Sequence, residues 1–216
     1  MNNNARTAAE QHDIIGYKSS EKEFTRTDDA GAKWFFEKTN LGLFIHFGIS
    51  AAGDDIDISW GMMDNPDRRA KGNGILTPRE YWALAEKFDP KHFEPKKWLS
   101  AAKDAGFTYA VFTAKHHDGF AMWPSDVGDF STKNYMGGRD LVGEYVTACR
   151  AAGLKVGLYY SPPDWRLDRK YMSFMSGSHS EKYPDRPYED IDHKPIASLP
   201  EMPEEHKKAH CEYFNA

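Results

Sequence analysis

A short apolar strand that ends in a run of titratable side chains constrains this chain more than any other feature. Residues 109–113 are aromatic, β-branched or small, and they follow a glycine, which is typical of a buried strand. Lys-His-His-Asp follows at 115–118, and Gly119 then ends the strand pattern. A buried strand that places polar side chains at its carboxyl end is the arrangement with which α/β barrels build sites.

Two further strand patterns, at residues 41–49 and 154–161, flank this one along the chain. Helices are predicted at 77–88, 94–105, 138–153 and from 203 onward, the first of them opening with a Thr-Pro-Arg-Glu capping box. Strands that alternate with helices form a parallel sheet. The predicted fold class is therefore α/β, the N-terminal part of a (β/α)8 TIM-type barrel with long βα loops at 50–74 and 166–200.

Two regions are predicted along the 216 residues. Residues 1–29 form a polar N-terminal leader, and residues 30–216 form a partial catalytic barrel that opens with a short aromatic helix containing Trp34. The pattern accounts for three to four βα units, whereas a closed barrel has eight and typically about 250 residues. We therefore expect a barrel truncated before closure, as part of a longer chain or completed by a second one.

Composition excludes several classes of partner. The net charge of -5 and the pI near 6.0 argue against nucleic acid. No apolar run approaches the length of a membrane span, and the N-terminus lacks the apolar core of a signal peptide. The two cysteines, Cys149 and Cys211, both lie in helical patterns, which favours reduced thiols over a disulfide scaffold.

Polar and aromatic side chains recur at the carboxyl ends of the three strands. These are His46, the His116-His117-Asp118 group and Tyr159, while Trp60 lies in the first long loop and is a candidate wall of a site. Strand alternation predicts that His116 and His117 point to opposite faces. Histidines bind sugar hydroxyls, metals or protons, so a metal site formed by His46, one of this pair and Asp118 remains open.

Several motifs together resemble the retaining α-L-fucosidases, glycoside hydrolase family 29. They are Gly-Leu-Phe-Ile-His-Phe-Gly at 42–48, the helix and strand at 98–113, Lys-His-His-Asp-Gly-Phe-Ala-Met-Trp at 115–123, Gly-Arg-Asp-Leu-Val-Gly-Glu at 138–144, and Gly-Leu-Tyr-Tyr-Ser at 157–161 with Asp-Trp at 164–165. The resemblance covers residues 34–165 in order and spacing, and the Lys-His-His-Asp-Gly-Phe motif is its most specific part.

The resemblance implies a barrel that removes a terminal α-L-fucose from a fucosylated oligosaccharide or glycoconjugate, without cofactor or metal. It implies that the sugar-binding residues are His46, Trp60, His116, His117 and Tyr159. It also implies a periplasmic or secreted location, and either the remaining C-terminal half or another subunit as a partner.

This sequence departs from the family pattern in three respects. Ser59 stands where the family usually has glutamate, and Phe47 where it usually has tryptophan. The family's nucleophile and acid/base carboxylates come from segments that follow the fourth helix, so no catalytic residue is predicted within these 216 residues. A metal-dependent barrel hydrolase and a non-catalytic carbohydrate-binding half-barrel are the alternative interpretations.

Overall fold

The computed structural model describes residues 41–72 and 74–215. The predicted leader, the Trp34 helix and the proposed boundary between residues 29 and 30 lie outside these residues and stay predictions. Three parallel strands form the main sheet in the order β1 (Gly42–Ile45), β2 (Tyr109–Lys115) and β3 (Lys155–Tyr160). The predicted parallel α/β sheet is therefore confirmed.

The described residues also contain six α-helices and three 3-10 helices. The α-helices are α1 (Pro66–Arg69), α2 (Pro78–Ala83), α3 (Pro95–Asp104), α4 (Thr132–Tyr135), α5 (Leu141–Ala151) and α6 (Glu204–Asn215). The 3-10 helices are Ile49–Ala52, Trp60–Met62 and Leu84–Lys87. Two two-residue strands, β4 (Tyr188–Glu189) and β5 (Pro195–Ile196), form an antiparallel hairpin.

Local sequence signals account for most helix boundaries. The Thr77 side chain accepts a hydrogen bond from the backbone N–H of Glu80, and the Glu80 side chain accepts one from the backbone N–H of Thr77, so the predicted capping box is present. Helix α2 continues as a 3-10 helix that ends before Phe88, which differs from the single α-helix predicted there. Gly106 and Gly153, with φ of 92° and 68°, follow α3 and α5 in the left-handed region.

One face of the sheet packs against α3 and α5 and forms the core. Phe112 of β2 is fully buried and its ring stacks on Tyr145 of α5 at 5.0 Å between centroids. Leu99 of α3 and Cys149 of α5 are also fully buried in this layer. Every second residue of each strand points to this apolar face, and the residues between them point to the other face of the sheet.

That second face and the sheet edges expose apolar side chains. On β1, Phe44 is 52% exposed, and on β3, Leu158 is 48% exposed. β1 is also shorter than predicted, because its ladder with β2 ends at Ile45 and the chain then turns into the 3-10 helix. No helix among the described residues is both long and apolar enough to cross a membrane.

The second long loop, residues 166–200, is more ordered than its sequence suggested. It contains the β4–β5 hairpin and is hydrogen-bonded to the first long loop. The Asp64 N–H donates to the Phe174 carbonyl at 2.7 Å, and the Ser176 N–H donates to the Asp64 carbonyl at 2.8 Å. The two long loops therefore form one layer, although neither carries a periodic pattern that reveals this contact.

Candidate active site

A threonine on β2 positions the end of β1, where His46 lies. The Thr113 hydroxyl accepts a hydrogen bond from the Phe47 N–H at 2.8 Å and lies 2.8 Å from the Phe47 carbonyl, to which it can donate. These contacts extend the link between the strands to Phe47, two residues past the last paired residue, Ile45. His46 thus projects from a backbone segment that is fixed on its C-terminal side.

Four of the five predicted site residues form a continuous group of rings at the carboxyl ends of the strands. The His46 ring lies 5.5 Å from that of His116 and 5.7 Å from that of Tyr159, and His116 lies 5.3 Å from Tyr159. The His117 ring lies 4.4 Å from His116. The structure therefore brings together the strand-end residues that the sequence singled out.

The expectation that His116 and His117 point to opposite faces is wrong. Their adjacent rings belong to one group because the alternation of a strand no longer applies beyond Lys115, the last residue of β2. The register with β3 shifts between Thr113 and Lys115, and the Gly119 N–H donates to the His116 carbonyl in a turn. A turn, unlike a strand, allows consecutive side chains to lie on the same side.

Each of these two histidines is held through Nδ1 by a serine. His116 Nδ1 lies 2.7 Å from Ser59 Oγ, and His117 Nδ1 lies 2.5 Å from Ser161 Oγ. The Ser161 hydroxyl donates its hydrogen to the Pro163 carbonyl at 3.0 Å, so His117 Nδ1 must be the donor to Ser161. In a neutral His117 ring, Nε2 is then a hydrogen-bond acceptor.

Ser59 contacts His116 and Asp118 from the buried side of the site. It is fully buried, and its hydroxyl accepts a hydrogen bond from the Asp118 N–H at 2.9 Å in addition to contacting His116. Ser59 stands where the family usually has glutamate, and in this structure its hydroxyl positions His116. Sequence reasoning did not identify Ser161, although it lies within the quoted 157–161 motif.

Burial keeps both imidazoles neutral. The pKa of His116 is lowered to about 3, mainly by burial and further by His117, His46 and Lys115. The pKa of His117 is lowered to about 4, again mainly by burial and then by the charge of Lys115. Neutral imidazoles can donate or accept hydrogen bonds to uncharged hydroxyl groups without a counter-ion.

Two tryptophans border the histidines. Trp60 is 43% exposed, and its ring meets His117 edge-on at 5.8 Å and Trp165 edge-on at 5.1 Å. Trp165 stacks on His117 at 4.8 Å between centroids, with an interplanar angle of 22°. The structure thus places Trp60 beside the ring group, and it adds Trp165, which the sequence analysis quoted in a motif but did not assign to the site.

Asp118 does not belong to the ring group. It is buried, and its carboxylate accepts hydrogen bonds from the Tyr81 hydroxyl at 3.0 Å and from the Phe120 N–H at 2.8 Å. Burial raises the pKa of Asp118 to about 6. Its role is to join the strand end to helix α2, because Trp82 Nε1 also donates to its carbonyl at 3.1 Å.

The alternative of a metal site formed by His46, one of the neighbouring histidines and Asp118 is not supported by the geometry. Within residues 41–72 and 74–215, one set of three side chains has ligand atoms close enough together to share a metal ion. It consists of Asp64, Glu189 and His193. Both carboxylate oxygens of Asp118 are instead engaged by Tyr81 and Phe120.

The other carboxylate near the strand ends, Asp164, is also fully engaged. Lys115 Nζ lies 3.1 Å from Asp164 Oδ2, and the Leu167 N–H donates to Asp164 Oδ1 at 2.8 Å. Both partners of the ion pair are almost completely buried. Asp164 therefore neutralises the lysine beneath His117 and has no oxygen free of a partner.

Comparison with known proteins decides the family. The family model described as Alpha-L-fucosidase matches residues 7–208. This chain belongs to the alpha-L-fucosidase family. The resemblance noted in the strand-end motifs is thereby confirmed.

Individual relatives of this fucosidase-family chain are similar over more than half of its length. Alpha-L-fucosidase 1 of Arabidopsis thaliana is 35% identical over 128 residues, which is 58% of this chain and 21% of the plant protein. Among solved structures, alpha-L-fucosidase isoenzyme 1 from Paenibacillus thiaminolyticus superposes with a TM-score of 0.56 at 36% identity, covering 72% of this chain and 34% of its own.

A third relative was solved with the sugar. Alpha-L-fucosidase AlfC from Lactobacillus casei, in complex with alpha-L-fucose product, superposes with a TM-score of 0.50 at 34% identity, covering 63% of this chain and 43% of its own. The fucosidase-family chain thus spans between about one fifth and two fifths of the length of these three relatives.

Proposed function

We propose that this chain provides the fucose-binding part of a retaining α-L-fucosidase, with His46, His116, His117 and Tyr159 binding the sugar hydroxyls and Trp60 lining the pocket. The observation that supports this most directly is the convergence of three imidazoles and a phenol, with ring centroids 4.4–5.7 Å apart between neighbours, at the carboxyl ends of parallel strands.

The chemistry of the group suits a neutral, hydroxyl-rich ligand. A hexose offers hydroxyl donors and acceptors on its edge and C–H groups on its faces. Neutral His117 offers an acceptor at Nε2, and the exposed face of Trp60 is a surface against which C–H groups can pack. A fucosylated oligosaccharide or glycoconjugate is the proposed substrate, in keeping with the fucose found in the Lactobacillus casei relative.

The carboxyl groups that break the glycosidic bond are proposed to come from outside the described residues. A retaining mechanism needs two carboxyl groups about 5–5.5 Å apart, one as nucleophile and one as acid/base. Asp118 and Asp164, the carboxylates next to the ring group, are buried and committed to Tyr81, Phe120, Lys115 and other partners. Neither has the accessible oxygen that a nucleophile requires.

The edges of the sheet also support a contribution from outside the described residues. Among residues 41–72 and 74–215, β1 and β3 lie at the two edges of the sheet, each beside β2 alone, and Phe44 and Leu158 expose large apolar side chains there. Such edges normally pair with further strands or are covered. We propose that strands from the remaining C-terminal half of the protein, or from another subunit, pair with these edges and complete the barrel.

Calorimetric titration of the 216-residue chain with L-fucose tests sugar binding. We expect heat of binding with L-fucose and weaker or no heat with D-galactose. The His46→Ala and Trp60→Ala variants should each lose binding, whereas His92→Ala, an exposed histidine before α3, should bind as the wild type does. Absence of heat with L-fucose in a folded wild-type chain would overturn the proposal.

Hydrolysis of an aryl α-L-fucoside tests where the catalytic carboxylates lie. The chain alone should release no nitrophenol, because its two nearby carboxylates are engaged. Turnover by the chain alone that is lost in Asp164→Asn or Asp118→Asn would show that the carboxylates of the reaction are present after all.

A further inference from the structure

Three side chains from the two long loops converge away from the ring group. Asp64 follows the Trp60–Met62 helix, whereas Glu189 ends strand β4 and His193 lies in the hairpin turn. One potential ligand atom from each lies within 4.8 Å of the others. Segments more than one hundred residues apart in the chain thus place one imidazole and two carboxylates together.

Two carboxylate oxygens in this cluster are buried without a hydrogen-bond partner. Asp64 and Glu189 are each only 5% exposed, and Asp64 Oδ1 and Glu189 Oε2 accept no hydrogen bond. A buried carboxylate oxygen without a hydrogen-bond donor or a cation is energetically unfavourable, because it has lost its water without gaining a partner. Buried polar groups are otherwise almost always paired, so these two oxygens need an explanation.

The ion pair between Arg69 and Asp64 does not provide that explanation. Arg69 forms an ion pair with Asp64 through Oδ2, which leaves Oδ1 free, and the Arg69 side chain is 61% exposed. An additional positive charge between the two buried carboxylates would give both unpaired oxygens a partner.

His193 has the hydrogen bond that is typical of a metal ligand. Its Nε2 donates to the carbonyl of Met62 at 3.0 Å, which fixes the tautomer and leaves the lone pair of the neutral ring on Nδ1. The residue also adopts φ of 55°, in the left-handed region that a non-glycine residue occupies only when its surroundings impose it. The turn therefore holds the imidazole in a defined orientation.

We propose that Asp64, Glu189 and His193 form a binding site for a divalent transition-metal ion. One imidazole nitrogen with two carboxylate oxygens is a ligand set suited to Zn²⁺ or Mn²⁺, whereas Ca²⁺ and Mg²⁺ prefer oxygen ligands alone. Three atoms within 4.8 Å of one another leave a point within about 2.8 Å of each, so side-chain shifts of about 0.6–0.8 Å give zinc bond lengths of about 2.0–2.2 Å.

Such an ion would have a structural role in the layer of loops. Through Asp64 it would connect the first long loop, just after the 3-10 helix Trp60–Met62, to the β4–β5 hairpin. The hydrogen bond between His193 and Met62 lies beside this connection. Trp60 is at the start of that helix, so the ion would fix the segment that carries the exposed tryptophan. The inference does not depend on fucose binding or on hydrolysis.

Calorimetric titration of the chelator-treated 216-residue chain with Zn²⁺ tests the site, with Ca²⁺ and Mg²⁺ titrated in parallel. We expect one Zn²⁺ per chain, weaker binding of Ca²⁺ and Mg²⁺, and a higher midpoint of thermal unfolding with Zn²⁺. Co²⁺ should give the visible absorption bands of a site with a nitrogen ligand. Glu189→Gln and His193→Asn should each weaken Zn²⁺ binding by about tenfold or more.

Matched variants separate this site from adventitious binding. Glu181→Gln and His92→Asn change the same residue types at exposed positions and should bind Zn²⁺ as the wild type does. Circular dichroism must show that Glu189→Gln and His193→Asn are folded, and Asp64→Asn provides a third ligand variant. Absence of stoichiometric Zn²⁺ binding to the wild type, or equal binding by all three ligand variants, would overturn the proposal.

Discussion

Lys115 Nζ lies 3.1 Å from Asp164 Oδ2 directly beneath the histidines, and the two side chains are 1% and 4% exposed. The ammonium group also lies 5.0 Å from the centre of the Tyr160 ring. The same lysine contributes to the lowered pKa values of His116 and His117. Lys115 thus joins β2 to the loop after β3 through Asp164, and its charge adds to the effect of burial that keeps the imidazoles neutral.

Replacing Lys115 by methionine should strongly destabilise the chain. The substitution preserves most of the apolar volume but leaves the Asp164 carboxylate buried without its cation, which typically costs about 3–5 kcal/mol in the free energy of unfolding. Urea unfolding measures this loss. The double variant with Lys115→Met and Asp164→Asn should recover much of it, and a loss below about 1 kcal/mol in the single variant would contradict the ion-pair role.

The rings of His116 and His117 should not titrate near neutral pH. Their pKa values of about 3 and about 4 compare with about 6.5 for a histidine in an unfolded chain. Ring proton and carbon NMR shifts measured between pH 5 and 8 should therefore stay constant for both. An inflection near pH 6.5 in either ring would show that it is hydrated and outside the buried group.

The same pKa shifts predict the sign of a pH effect on stability. Between about pH 6.5 and 4, the unfolded chain binds protons at these rings and the folded chain does not, so they make stability fall as the pH is lowered. Asp118, with its pKa raised to about 6, acts in the opposite direction. Compared with the wild type, His117→Asn should therefore lose less stability on acidification, as measured by urea unfolding at neutral and acidic pH.

Thr113→Val should disturb the site through the backbone beside His46. It removes the acceptor for the Phe47 N–H, so we expect a loss of about 1–3 kcal/mol in stability and a changed NMR shift for the His46 ring. L-Fucose affinity should fall by about tenfold, equivalent to about 1.4 kcal/mol. Thr113→Ser keeps the hydroxyl and should largely restore all three, and equal behaviour of the two variants would contradict a positioning role.

Gly119→Ala should cost more stability than Gly138→Ala. Both glycines have left-handed φ, 86° and 82°, so alanine pays a similar conformational cost of about 1–2 kcal/mol at each. At Gly119 the new Cβ would also lie 2.6 Å from Asp164 Oδ1, which is fixed by the Leu167 N–H, whereas at Gly138 nothing lies within 4 Å. Equal losses on urea unfolding would show that Asp164 can move aside.

Local patterns were sufficient to predict the sheet, the main helices and the strand-end residues. Strand and helix periodicity, the capping box at Thr77 and the glycines after α3 and α5 depend on residues close together in the chain, and the structure contains each of them. The rule that parallel strands present their carboxyl ends at one edge then predicted that His46, His116 and Tyr159 would meet.

The tertiary structure decided everything that depends on contacts between distant segments. The amino-acid sequence does not show that the chain leaves the strand after Lys115, so it could not show that His116 and His117 share one group. Ser59 lies 57 residues before His116 in the chain, and only the tertiary structure shows that it is buried and hydrogen-bonded to that histidine. Asp118 lies outside the ring group because its carboxylate accepts a hydrogen bond from Tyr81. The cluster of Asp64, Glu189 and His193 joins two loops without periodicity, and such loops are arranged by packing and hydrogen bonds between distant residues, which local propensity does not encode.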